Sequence, residues 1–161
     1  MSSFSSSFST QSACSMTACK NGLGFLVLRL FLAYEFFEAG LSKLNGENWF
    51  ASIQESFPFP FNVLPADLSW AIASGAEILL PILLTLGLFT RFSALGLMIL
   101  TAVAWYAVHA GNGYNVCNNG YKMALIYLVM LVPLLLQGAG SLSLDFLLQK
   151  KSPTKRWLKF L

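Results

Sequence analysis

Charge is what this 161-residue chain has least of: Asp, Glu, Lys and Arg make up only 11% of it. A soluble domain of this size carries about 25%. The shortage excludes an ordinary solvated surface and, with 56% apolar residues, points to a lipid environment. Histidine occurs once and cysteine three times, without a C-x-x-C. An odd, scattered cysteine count gives no disulfide framework, and Cys14 and Cys19 do not have a metal or redox spacing. The phosphate-binding glycine loops, the dinucleotide fingerprint, the nucleophile elbow and haem attachment motifs are all missing. The "GNG" at 111–113 is too short to cradle a phosphate.

What is present is apolar and segmental. Four runs stand out, at 22–41, 68–89, 92–108 and 121–136. Crossing a bilayer takes about 20 residues, with a lower limit near 17. The fold class expected is therefore all-α, an integral-membrane four-helix bundle. A Ser-rich segment, 1–20, precedes the first run and lacks the composition to order itself. It also lacks the basic start and cleavage site of a signal peptide. Residues 21–148 make the membrane domain and 149–161 a basic tail, with Lys150, Lys151, Lys155, Arg156 and Lys159. The loop at 42–67, with "SFPFPFNVLPAD", suits an interfacial segment between the first two helices. "AGSLSLDFLLQKK" suits a short interfacial helix capped at Ser141 or Ser143.

Cation placement sets the orientation. Lys20, Arg91 and the five cations of the tail fall on one side of a four-span chain. By the positive-inside tendency both termini are cytoplasmic, and His109 and Cys117 face outwards. The basic tail is read as a membrane anchor, with no nucleic-acid partner implied.

The first run, "LRLFLAYEFFEAGLSKL", carries Arg29, Glu35, Glu38 and Lys43. Ionised groups at such a depth are costly unless paired or functional. Counting at 1.5 Å per residue from the expected outer ends puts Arg29 and Glu77 at about the same depth. The expectation is an Arg29–Glu77 pair, serving either as a structural clamp or as one wall of a polar cavity. Pro81 removes the helical hydrogen bond to the Glu77 carbonyl, and Pro133 does the same at Val129. Glu35 and Glu38 share a helical face. They suit proton transfer or cation binding, or else pair locally, Glu38 with Lys43 or Lys122. His109 could join a metal site only if its loop brought Cys117 and Glu38 to it, and no metal is expected. Trp105, Tyr106, Tyr114, Tyr121 and Tyr127 form an aromatic belt, or a stacking surface for a planar ligand. Gly75, Gly87 and Gly96 would permit close helix approach.

The order of these elements resembles the DoxX family of small bacterial membrane proteins. Arg29, Gly40 and Lys43 match the family's first span, and "FPFP" its Pro-containing loop. Glu77, Gly87, Thr90 and Arg91 match the second span and its exit. Gly138, Gly140, Ser143, Leu144 and Asp145 match the closing Gly-x-Gly-x-x-Ser-Leu-Asp. Lys122 stands where many members carry an acid. The resemblance implies a four-helix membrane bundle. It also implies roles in quinone-linked sulfur oxidation, in membrane complexes resisting oxidative stress, or beside metal-binding peptides.

The functional expectation is an inner-membrane subunit of a redox system. Arg29, Glu77, Glu35 and Glu38 would carry the chemistry, and Lys43, His109 and Lys122 would ring the outer mouth. Trp105 and Tyr106 would help bind a membrane quinone, the electron acceptor, with no prosthetic group. The bilayer is one partner, and a partner protein or second copy another. The competing expectations are a non-catalytic membrane anchor for an enzyme or a metal-binding peptide pathway, and a small transporter.

Overall fold

The structure is a computed structural model that describes residues 4–151, with side chains from 22 to 148. Helix α1 is Phe4–Asn45, α2 is Ala66–Leu86, α3 is Thr90–Ala104, α4 is Lys122–Gln137 and α5 is Leu144–Lys151. No strand occurs among the described residues. Each of the four apolar runs is a helix. The start of α1 differs from the compositional expectation, because its backbone continues as helix back to Phe4. No Pro or Gly interrupts residues 4–21, so nothing local stops a helix once formed. Residues 1–3 and 152–161 lie outside the described residues, and with them most of the basic tail.

Consecutive helices run antiparallel, and α4 returns to α1, so α1–α4 close into a bundle. Its core is built from Leu32, Phe36, Leu84, Leu97, Leu131 and Leu134, with smaller neighbours. The tight α2–α3 link has a local cause. Gly87 adopts φ +65°, and the Leu88 and Gly87 N–H groups bond back to the Leu83 and Leu84 carbonyls at 2.9 and 3.1 Å. This is a glycine helix terminator of the Schellman type. Pro81 and Pro133 sit inside α2 and α4 without ending them. Ser143 caps α5, its Oγ accepting from the Phe146 N–H at 3.2 Å.

Alongside the apolar core, several polar residues are buried and many large apolar ones face outwards. Arg29, Glu77, Thr90, Ser93 and Asp145 are buried, while Val27, Leu79, Phe92, Ile99 and Val129 are exposed. Two helical stretches, Ala66–Leu86 and Thr90–Asn112, are long and apolar enough to cross a membrane. Lys122–Gln137 is equally apolar in character but shorter.

Register decides which charges meet. Gly40 presses α1 against Glu77 and Ile78, where an added Cβ would come within 3.0 Å of both. Further along, Arg29 lies against Gly87. Arg29 is thus level with the end of α2, about 15 Å from Glu77 along the axis. The expected Arg29–Glu77 pair does not form. Depth counted from presumed helix ends placed it wrongly, because α1 runs on to Asn45 and the Gly40 contact, not the ends, fixes the offset. Of the glycines expected to bring helices together, Gly96 meets Leu80 and Gly87 meets Arg29, whereas Gly75 faces open space.

Candidate functional site

A cavity of about 580 Å³ lies between α2 and α3, at the end of the bundle where the long loops gather. Its roof is the 49–64 segment, which includes two short 3₁₀ turns, Phe50–Ser56 and Phe61–Val63. Aromatic packing holds the roof down. Phe50 meets Phe57 and Trp70 at 5.0 Å between ring centres, and Trp49 meets Trp70 at 5.9 Å. Leu80, Gly96 and Leu100 form the opposite, deep end. Ile72 and Ile99 line the cavity yet are about half exposed, at 53% and 48%.

Few polar groups enter this space. Lys43 reaches from α1 across the close Gly40 contact and donates to Glu77 Oε2. The pair is largely enclosed, and both residues line the cavity. His109 lines it too, from the wide π turn Trp105–His109 that continues α3. Its Nδ1 is 2.7 Å from the Asn119 carbonyl. A carbonyl only accepts, so Nδ1 carries the proton, and in the neutral ring Nε2 is left as an acceptor. Ser69 and Asn119 complete the polar lining. The arrangement is an apolar slot with a few hydrogen-bonding groups. Such a site suits a flat, lipid-soluble molecule with a small polar head.

The other expected site residues are placed elsewhere. On the α1–α4 seam the Tyr127 hydroxyl donates to Glu35 Oε2 at 2.5 Å, while Glu38 is exposed. Trp105 stacks on Tyr121 with ring centres 5.2 Å apart. Tyr106 is exposed, and Lys122 Nζ sits 5.6 Å over the Tyr114 ring. The structure therefore pairs Lys43 with Glu77 and sets His109 on the lining of the same cavity, and does not bring Glu35, Glu38, Trp105, Tyr106 or Lys122 there. Among the described residues no three of His, Cys, Asp and Glu converge as a metal site would require.

Arg29 belongs to a second polar centre at the opposite end. It is 1% exposed, and its Nη2 donates to the Leu142 carbonyl at 2.5 Å. Asp145 is the acid nearby, close enough to act on it electrostatically without forming an ion pair. The Asp145 carboxylate accepts the Phe89 and Thr90 N–H groups at 3.0 and 3.1 Å, and its own N–H bonds to the Gly87 carbonyl at 2.9 Å. Asp145 therefore caps α3 from 55 residues away in sequence. It also holds Phe89, whose φ is +52°, in its left-handed turn.

The sequence alone did not single out Asp145 for this task, nor Ser69 and the aromatics of 49–61 for the cavity. The only signal for Asp145 is its place in the closing Ser-Leu-Asp. Read locally, it is an acid in the first turn of α5.

The family model named DoxX matches residues 24–110. One protein of Haemophilus influenzae (strain ATCC 51907 / DSM 11121 / KW20 / Rd) is 60% identical over 148 residues, covering 92% of this chain and 98% of its own length. Another from the same strain is 32% identical over 124 residues, covering 73% and 85%. Each is named only as an uncharacterized protein. No solved structure matches.

Proposed function

Because this chain belongs to the DoxX family, we propose that it is a four-span bacterial inner-membrane subunit of a redox system that binds a membrane quinone in the α2–α3 cavity. The single observation that carries this reading is the cavity itself: apolar, roofed by aromatic rings, and lined by half-exposed Ile72 and Ile99, between which we place its opening to lipid. A ligand dissolved in lipid could enter there without passing through water. Both termini are cytoplasmic in this reading, which puts the cavity's loop end outside.

When bound, a quinone supplies two-electron, two-proton acceptor chemistry, with electrons delivered by a partner protein. The chain's own residues do the rest. Phe50, Phe57 and Phe61 exclude water and offer faces for a planar ring. Lys43 donates to Glu77 at the cavity wall. His109 can accept or release one at Nε2.

Trp49 lines the cavity and serves as a reporter, because quinones quench indole emission. A short-chain ubiquinone analogue should quench the full chain in lipid nanodiscs saturably. Ala76→Phe, which fills the space beside Glu77, should abolish the saturable part. Saturable quenching that Ala76→Phe leaves unchanged would move the site elsewhere. Complete absence of binding would favour the non-catalytic anchor.

A further inference from the structure

Three hydroxyls of α2 and α3 satisfy themselves within the helix. Ser74, Thr85 and Thr101 each donate to the carbonyl four residues back, at 2.8, 2.9 and 2.7 Å. Ser69 does not. Its Oγ is buried and has no hydrogen-bond partner in this rotamer; the residue lines the cavity, so the hydroxyl reaches a ligand there by rotation about Cα–Cβ. Thr90 and Ser93 share that condition, but they lie at the far end of α3 and line no part of the cavity. A buried donor left unpaired carries a desolvation penalty, so its persistence calls for a partner that binds there.

His109 faces the same space. Leu80 packs on Gly96 and fixes how α2 and α3 slide against each other. From that contact, Ser69 lies about 16 Å and His109 about 19 Å towards the loops, at 1.5 Å per residue. The two are therefore nearly level, on opposite walls, beneath the aromatic roof. Glu77 lies about 12 Å deeper than Ser69 by the same count. The Asn119 carbonyl occupies His109 Nδ1, which leaves Nε2 as the ring nitrogen available to a ligand.

We infer that Ser69 Oγ and His109 Nε2 form the hydrogen-bonding station for the ligand's head, a carbonyl or hydroxyl group on a flat apolar body. The inference rests on the quinone-binding reading and deepens it, because it assigns the head to the loop end. The apolar tail then runs past Ala76 and leaves between Ile72 and Ile99. Ser69 donates to a carbonyl oxygen. His109 accepts from a hydroxyl when its ring is neutral, and donates to a carbonyl when it is protonated. Neither residue supplies electrons, so both are positioning residues.

The test uses the full chain in nanodiscs and a short-chain ubiquinone analogue labelled with ¹³C at its ring carbonyls. Infrared difference spectra report a hydrogen-bonded carbonyl as a band at lowered frequency, and Trp quenching gives Kd. In Ser69→Ala the lowered band should disappear and Kd should rise about three- to tenfold, the range of one neutral hydrogen bond. Ser69→Thr, which restores a hydroxyl, should retain both the band and the affinity. His109→Phe should weaken binding of the reduced quinol more than that of the quinone. If Ser69→Ala folds poorly, Ser69→Cys, a weaker donor, should give an intermediate band shift.

An unchanged band and Kd in Ser69→Ala, with Ala76→Phe still abolishing binding, would overturn the station while leaving the cavity reading intact. Saturable binding insensitive to Ala76→Phe, or no binding by the unaltered protein, would overturn both.

Discussion

Lys43→Met is expected to lower stability by about 3 kcal/mol, near the bottom of the range for breaking a buried ion pair. The cause is the group left behind. Glu77 is 9% exposed and has Lys43 as its ion-pair partner, so deleting the ammonium strands a carboxylate among apolar neighbours. Lipid around the bundle would offer that carboxylate no solvation. Glu77→Gln in the Lys43→Met background should recover most of the loss, since an amide costs far less to bury than an unpaired carboxylate. Unfolding of the purified protein in mixed detergent and SDS micelles, followed by Trp emission, measures Lys43→Met, Glu77→Gln and the double variant. Single losses that simply add in the double variant would mean the two side chains do not depend on each other.

Asp145→Ala should be comparably damaging, at about 2–4 kcal/mol, because two failures coincide. The Phe89 and Thr90 N–H groups lose their acceptor, a helix-cap loss of about 1 kcal/mol in its own right. Arg29, 1% exposed, loses the acid nearby and retains a hydrogen bond to one carbonyl. The reverse change, Arg29→Met, should cost less, because Asp145 still accepts from two backbone donors at the α3 start. The double variant should be more stable than Asp145→Ala alone. The same SDS titration ranks them, and Arg29→Met proving worse than Asp145→Ala would contradict this account of the Asp145 cap.

How much of this was legible in the sequence follows from where the information sits. Each apolar run became a helix, because run length and composition are local. The third run ends in a π turn, and the fourth coincides almost residue for residue with α4. The importance of Glu77 and Lys43 was also legible, as charges in apolar runs demand a reason. Their pairing was not. It depends on the offset between α1 and α2, set by a contact at Gly40 that no single segment reveals. The same offset sends Arg29 to the Leu142 carbonyl, 113 positions later in the chain. The loop at 42–67 read as an interfacial segment, but its role as a cavity roof depends on Trp70 and Val103, which belong to other elements. Trp105 and Tyr106 looked like ligand-facing aromatics. Helical phase turns them instead towards Tyr121 and the exterior.

The α2–α3 cavity as the binding place of a lipid-soluble planar ligand is best tested by photolabelling the nanodisc-embedded protein with an azido-quinone and mapping the adducts by mass spectrometry. The account predicts adducts on the roof residues 49–61 and on the cavity-facing residues of α2 and α3, suppressed by excess unlabelled quinone. Competable adducts confined to the outer α1–α2 groove, lined by Leu30, Tyr34, Phe37 and Ile82, would contradict it.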